Sequence, residues 1–239
     1  DTGQFSLAGA QPKTALFFHA GRWGVPAGRT PTTHILKPPI RGLDGHVENE
    51  HLCLRLAREV GLPTADSEVR CFGDEVAIVV ARYDRVRTAD LGHGAPRGLA
   101  RTEPVLRLHQ EDTCQALGVR PTLKYQNEGG PSPADVVALV RDHSRRPEED
   151  VQTFVDALAF NWLIAGTDGH AKNYSFLHQA GGRVRLAPLY DLASALPYAE
   201  MEPRKIKLAM RIGGEYRVHA IRSRHWAALA NELRLDEAG

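Results

Sequence analysis

The chain has 239 residues, 42% of them hydrophobic and 25% charged, enough to bury a sizeable core and incompatible with wholesale disorder. A formal net charge of +1 gives no electrostatic basis for direct nucleic-acid or membrane binding, and no apolar run approaches the length of a membrane span. Three widely spaced cysteines, Cys53, Cys71 and Cys114, lack metal-ligand spacing and fit a reducing cytoplasm.

Strands come first along the chain. Residues 15–18 and 22–26 flank a short glycine turn, as in a hairpin. Residues 33–37 alternate polar and apolar side chains and stop at Pro38-Pro39, which cannot continue a ladder. Residues 47–60 (VENEHLCLRLAREV) read as a helix, with Leu52, Leu56, Glu59 and Val60 at helical spacing and Gly61 placed to end it. Residues 69–74 and 76–80 form a second hairpin turning at Gly73-Asp74.

After Arg82-Tyr83-Asp84-Arg85 the texture changes to a loop rich in Gly, Ala, Pro and charge. From Gln110 the pattern is mostly helical, over 112–117, 132–143 and 148–164, and His109-Gln110-Glu111-Asp112 reads as a helix start. Phe154, Leu158, Trp162 and Leu163 are the candidate core residues of the last helix. Strands followed by helices predict an α+β, bilobal fold. Residues 1–85 form a small antiparallel-sheet lobe and 86–239 a mainly helical lobe, with the boundary near 82–90. The chain has no initiator Met and opens almost directly on a glycine-containing loop, so a piece of a longer protein is expected.

The most informative chemistry is Thr167-Asp168-Gly169-His170-Ala171-Lys172-Asn173, followed by a hairpin (174–178 with 183–186) and Tyr190-Asp191. An Asp and an Asn five residues apart, with a second Asp a hairpin later, is the spacing of a phosphotransferase catalytic loop. Asp168 would face the acceptor hydroxyl, and Asn173 and Asp191 would hold Mg²⁺ on nucleotide phosphates through hard oxygen donors. Lys37 ends a strand about ten residues before a helix bearing Glu48 and Glu50, which suits a phosphate-pairing lysine steadied by a glutamate. Glu50 is the expected partner, with Glu48 nearly as good. Ser6-Leu7-Ala8-Gly9-Ala10-Gln11 is small enough to bring backbone N–H groups onto phosphate oxygens, though it is neither a Walker A loop nor GxGxxG. Ala81 and Tyr83, at the lobe boundary, would present a backbone edge and a ring to adenine, and Gln110 and His170 complete the expected ATP-binding set. The eleven histidines form neither HExxH nor a Cys/His cluster, so no zinc site is expected.

Through SLAGAQPKTAL, TPTTHILKP, VENEHLCLRLAREVGL, VVARYDR, RLHQEDTCQALG, KYQNEGGP, FNWLIAGTDGHAKNYSF, LAPLYDLASALP and KLAM, the chain resembles the HipA family of bacterial Ser/Thr kinase toxins over residues 4 to 212. The resemblance implies a protein-kinase-like fold, Mg·ATP and phosphorylation of a protein serine, typically on an aminoacyl-tRNA synthetase, which arrests translation and leads to persistence. It implies that Asp168 is the catalytic aspartate, Asn173 and Asp191 metal ligands, Lys37 the ATP-phosphate lysine and Ser6 a site of autophosphorylation. A phosphoserine there would add about −2 charge beside the ATP phosphates and oppose nucleotide binding. The family often carries Glu-Arg-Phe where this chain has Ala81-Arg82-Tyr83, which removes one acidic contact to adenine or ribose. Full-length members also carry an N-terminal subdomain and further C-terminal helices. The chain is therefore expected to be a fragment or a compact member, and the family's DNA-binding antitoxin is a candidate partner only. A small-molecule or lipid kinase, and a nucleotide-binding pseudokinase scaffold, are the alternatives.

Overall fold

In the computed structural model, residues 11–28, 30–87, 105–179 and 181–235 are described. The chain divides into two units, with divisions at 51/52, 64/65 and 109/110. The loop residues Ser6, Ala8, Gly9 and Ala10 lie outside the described residues.

The first unit is built on a five-stranded antiparallel sheet in the order β2-β1-β3-β5-β4. Its strands are β1 (Thr14–His19), β2 (Arg22–Gly24), β3 (His34–Lys37), β4 (Ser67–Phe72) and β5 (Glu75–Ala81). β5 is the most apolar of these and takes an interior place in the sheet, with Ile78, Val79 and Val80 buried. One face carries an aromatic cluster, with Trp23 against Phe18 at 4.5 Å and edge-on to His34 at 5.2 Å. The Arg70 guanidinium lies over the Phe18 and Trp23 rings at 5.4 and 5.7 Å. A short ribbon of β6 (Arg85–Arg87) with β7 (Val105–Arg107) completes the unit.

Helix α1 (His46–Glu59) crosses the division at 51/52. The helix falls where the sequence predicts, but Leu52 (58% exposed), Leu56 and Val60 stand in solvent. The buried stripe is Val47, Glu50, Leu54 and Ala57. Both sets recur at helical spacing. Glu50 lies on the buried side, where its carboxylate has a buried cationic partner, described below.

The second unit holds α2 (Thr113–Ala116), α3 (Pro133–His143), α4 (Pro147–Leu163) and α5 (Ser223–Leu233). It also has a three-stranded sheet, β10-β9-β8, and a two-stranded one, β11-β12. The residues read as a helix start are strand β8 (His109–Asp112), which pairs beside β9 (Ser175–Gln179). Asp112 ends that strand and caps α2: its Oδ1 accepts the Gln115 N–H at 2.9 Å, while Gln115 Oε1 accepts the Asp112 N–H. An acidic N-cap looks the same in sequence whether a strand or a loop precedes it. The predicted hairpin is present, with β9 antiparallel to β10 (Arg183–Leu186). Gly181 and Gly182 take positive φ at its turn, where a side chain would be strained. β11 (Lys207–Ile212) and β12 (Glu215–Arg217) add strands to a half read as mainly helical.

Helix α4 buries Phe154 and Leu158, and Phe154 meets Tyr174 edge-on at 4.8 Å. The indole of Trp162 is half-buried and donates to Val218 O at 3.0 Å. Leu163 is 67% exposed, contrary to expectation. Residues 154, 158 and 162 follow the i+4 line of one helix face, and residue 163 lies about 100° off it. Accordingly Leu163→Lys is expected to change stability by less than about 0.5 kcal/mol. Phe154→Ala should cost about 3–5 kcal/mol. Denaturant unfolding of the two variants checks both figures, and a destabilised Leu163→Lys would contradict the exposure of that turn.

Candidate functional site

The 167–173 loop begins where α4 ends. Gly166 and Gly169 let it fold onto the buried side chain of Asn161: a Cβ on Gly166 would lie 2.3 Å from Asn161 Oδ1, and one on Gly169 would lie 3.2 Å from Nδ2. Asn161 itself is fixed by donating to Ala157 O at 3.0 Å and to the Tyr174 hydroxyl at 3.3 Å. The loop closes on itself, because Asp168 O accepts the His170 N–H at 2.8 Å and Asn173 Nδ2 at 2.8 Å. Asp168, His170 and Asn173 are thereby brought into one small structure, as their spacing predicts.

Each of the three has a distinct setting. The Asp168 side chain is 60% exposed, and its Oδ1 accepts the Tyr125 hydroxyl at 2.6 Å. His170 is buried, with Nε2 3.7 Å from Asp168 Oδ1. Burial pushes its pKa below the ordinary histidine range, against the charges of Asp168 and Asp191, so the ring is neutral at neutral pH. Its Nδ1 has no hydrogen-bond partner among the described residues. Asn173 is buried and spends its amide N–H on the Asp168 carbonyl, which leaves Oδ1 as the atom it can offer a cation.

Asp191 reaches the same neighbourhood through Tyr190. The Tyr190 hydroxyl donates to Lys172 O at 2.6 Å and meets Ser175 Oγ at 2.6 Å, pinning the residue before Asp191 to those flanking Asn173. Asp191 has φ +60°, in the left-handed region where Asp is tolerated better than most residues, a strain that recurs at functional positions. An amide oxygen and a carboxylate are both hard donors, the kind of ligand Mg²⁺ takes. The loop is held from a further side by Lys172, whose ammonium pairs with Asp112, and by Thr113, whose N–H and hydroxyl donate to Tyr174 O. Gln110, one strand position beyond the division, has its Oε1 shielded and without a partner among the described residues.

The first unit presents its own candidate residues. Lys37 ends β3, is 6% exposed, and donates to Glu50 Oε1 at 2.6 Å. Of the two glutamates weighed in sequence, the structure brings Glu50 to Lys37. Gln11 donates to Pro38 O at 3.2 Å, which sets the end of the glycine-containing segment beside the exit of β3. Beyond Ala81 and Tyr83, buried Asp84 accepts from Arg82 and Arg85, which also bond Thr32 Oγ1 and Thr32 O. Although burial opposes ionisation, the two guanidiniums hold the Asp84 carboxyl below its ordinary range. This knot stiffens the segment after β5.

Comparison with known proteins decides the family. Residues 5–239 match the model for the HipA-like C-terminal domain. The chain belongs to that family. The HipA-like domain is 42% identical over 229 residues to "Putative kinase Y4mE" of Sinorhizobium fredii, covering 96% of this chain and 51% of the relative. It is 32% identical over 243 residues to the serine/threonine-protein kinase toxin HipA of Shewanella oneidensis, covering 97% and 52%. The solved Shewanella oneidensis HipA, in complex with HipB and its operator DNA, superposes with a TM-score of 0.81 at 30% identity, covering 98% of this chain and 54% of that one. The kinase CtkA of Helicobacter pylori is alike in fold, with a TM-score of 0.52 at 14% identity, covering 79% of this chain and 55% of that one. The HipA-like chain thus spans about half the length of the relatives it matches, and its mixed α/β fold is kinase-like.

The sequence alone assigns no role to Tyr125 or Asn161, and it names Tyr190 only as the neighbour of Asp191. Tyr125 sits in KYQNEGGP and Asn161 in FNWLIAGTDGHAKNYSF, stretches that carry the family resemblance, but nothing in their local pattern connects them to Asp168.

Proposed function

We propose that this HipA-like domain is the phosphoryl-transfer half of an ATP- and Mg²⁺-dependent serine/threonine protein kinase toxin. The observation that carries the proposal is the 167–191 arrangement: an exposed Asp168 carboxylate on a loop closed by Asn173, with Asp191 tied to that loop through Tyr190. Asp168 accepts or orients the proton of the acceptor serine as the serine oxygen bonds the γ-phosphorus and the bond to the β-phosphate oxygen breaks, giving ADP and phosphoserine. Asn173 Oδ1 and the Asp191 carboxylate would hold Mg²⁺, whose charge when bound would neutralise that of the phosphates. In the first unit, Lys37, steadied by Glu50, would pair with the phosphates, with Ala8, Gly9, Ala10, Gln11, Ala81 and Tyr83 as its proposed ATP contacts; in the second unit, Gln110 and His170 are the proposed ones. The kinship to the Shewanella serine/threonine-protein kinase toxin supports a protein acceptor; the first candidate is a cytoplasmic aminoacyl-tRNA synthetase, with Ser6 as the proposed autophosphorylation site. That relative's complex with HipB and operator DNA supports a DNA-binding antitoxin as partner.

The test is intact mass after incubation with Mg·ATP, with phosphosite mapping and an Asp168→Asn control. One phosphate on Ser6, absent in the control, is the expected result. If none appears there or on added aminoacyl-tRNA synthetases, the kinase reading fails and a nucleotide-binding scaffold is left. Asp191→Ala is expected to weaken Mg²⁺-dependent ATP binding by about 10- to 100-fold, since one of two protein oxygen donors is lost. Titration with and without Mg²⁺ checks this, and an unchanged Mg²⁺-dependent affinity would remove Asp191 from the metal site.

A further inference from the structure

Asp168 is an exposed carboxylate on a loop, and such a side chain in water samples several rotamers. A proton acceptor that wanders by an ångström loses much of its effect, so something must hold it. The backbone contacts of Asp168 fix its carbonyl, not its carboxylate. Among the described residues, the one hydrogen bond to the carboxylate comes from Tyr125, 43 residues away in sequence.

Tyr125 is itself firmly placed. Its flanks are fastened to the surrounding unit by the Ala171 N–H on Lys124 O at 3.2 Å and the Arg211 N–H on Gln126 Oε1 at 2.9 Å. Its ring packs edge-on against the buried His170 ring, with centroids 5.1 Å apart. The Lys124 ammonium covers the ring at 5.0 Å. The turn that follows requires glycine at position 130, where a Cβ would lie 2.2 Å from Leu123 O and 2.8 Å from Tyr125 O. The Gly130 N–H in turn bonds Tyr125 O at 3.0 Å. All of these residues belong to the second unit.

We propose that Tyr125 is a positioning residue for Asp168: its hydroxyl fixes Oδ1 and leaves Oδ2 open to the acceptor hydroxyl. The two oxygens are then unequal, Oδ1 held by the phenol and Oδ2 without a partner among the described residues. Burial and the neighbouring Asp168 carboxylate push the phenol pKa well above the ordinary tyrosine range, so Tyr125 remains a hydrogen-bond donor throughout physiological pH. Its part is to orient, and no proton passes through it.

This inference rests on the kinase reading above, and the experiment separates the two. Steady-state transfer from Mg·ATP is measured with the full-length protein carrying this domain, as wild type, Tyr125→Phe and Tyr125→Ala. Phe keeps the ring on His170 and removes the hydroxyl alone. Tyr125→Phe is expected to lower kcat by about 10- to 100-fold while KM for ATP changes by less than about twofold. Tyr125→Ala should fall by a similar factor. A Phe variant that works like wild type overturns the proposal, and if Ala alone fails, the ring is a packing element only. A Phe loss that resides in KM for ATP overturns it as well. A wild type that transfers no phosphate removes the kinase reading and this proposal with it.

Discussion

Asp168→Asn should lower phosphoryl transfer by roughly 10²–10⁴-fold while ATP binding stays measurable. The substitution is nearly isosteric, and an amide oxygen at the Oδ1 position still accepts the Tyr125 hydroxyl, so the loop geometry is kept. The backbone bonds from His170 and Asn173 to the residue 168 carbonyl are untouched. What is lost is a basic oxygen facing the acceptor. Because the side chain is 60% exposed, removing its charge leaves no buried cation uncompensated, and the melting temperature should hardly move. Initial rates with an ATP titration on the same preparation check both halves. A residual rate within tenfold of wild type would take Asp168 out of the chemistry.

Glu50→Ala should have the largest effect on folding. Lys37 and Glu50 lie 2.6 Å apart with side chains 7% and 1% exposed, so neither charge can fall back on water. Removing the carboxylate takes from a buried ammonium its partner at 2.6 Å, and breaking a buried pair in this way costs about 3–5 kcal/mol. Replacing both partners by apolar residues of similar size, Lys37→Met with Glu50→Leu, should recover most of that stability, because the desolvation cost of both ions disappears as well. The double variant also asks why a costly pair is kept. Under the proposed function it folds but loses nucleotide affinity, since its phosphate-pairing charge is gone. Guanidinium unfolding and ATP titration of the single and double variants provide the measurement. A double variant that binds ATP like wild type would make the pair purely structural.

Much of this domain is legible in one dimension. The hairpins of the first unit, α1, α3, α4 and the β9–β10 hairpin follow from periodicity, caps and glycine turns, all of which act within a few residues. The 167–173 loop and the lysine at the end of β3 are likewise singled out by spacing along the chain. The helix read over 132–143 is present as α3, and Ser132 with Asp135 forms the capping box at its start.

The rest depends on packing between segments far apart in sequence. Helical spacing allowed two stripes on α1, and only tertiary packing decided that the one carrying Glu50 is buried while Leu52 and Leu56 face outward. β8 looked like a helix start because an acidic N-cap is a local signal, whereas strand pairing depends on β9 more than sixty residues later. Tyr125 reaches Asp168 across 43 residues, and the Lys172 ammonium reaches Asp112 across 60. By itself, then, the sequence determined most of the helices and hairpins and singled out the residues proposed for the chemistry, since backbone preference and motif spacing are properties of neighbours in the chain. The tertiary structure alone decided which faces are buried and which distant hydroxyl bonds the exposed carboxylate, because burial and hydrogen bonding between remote segments exist only once those segments pack.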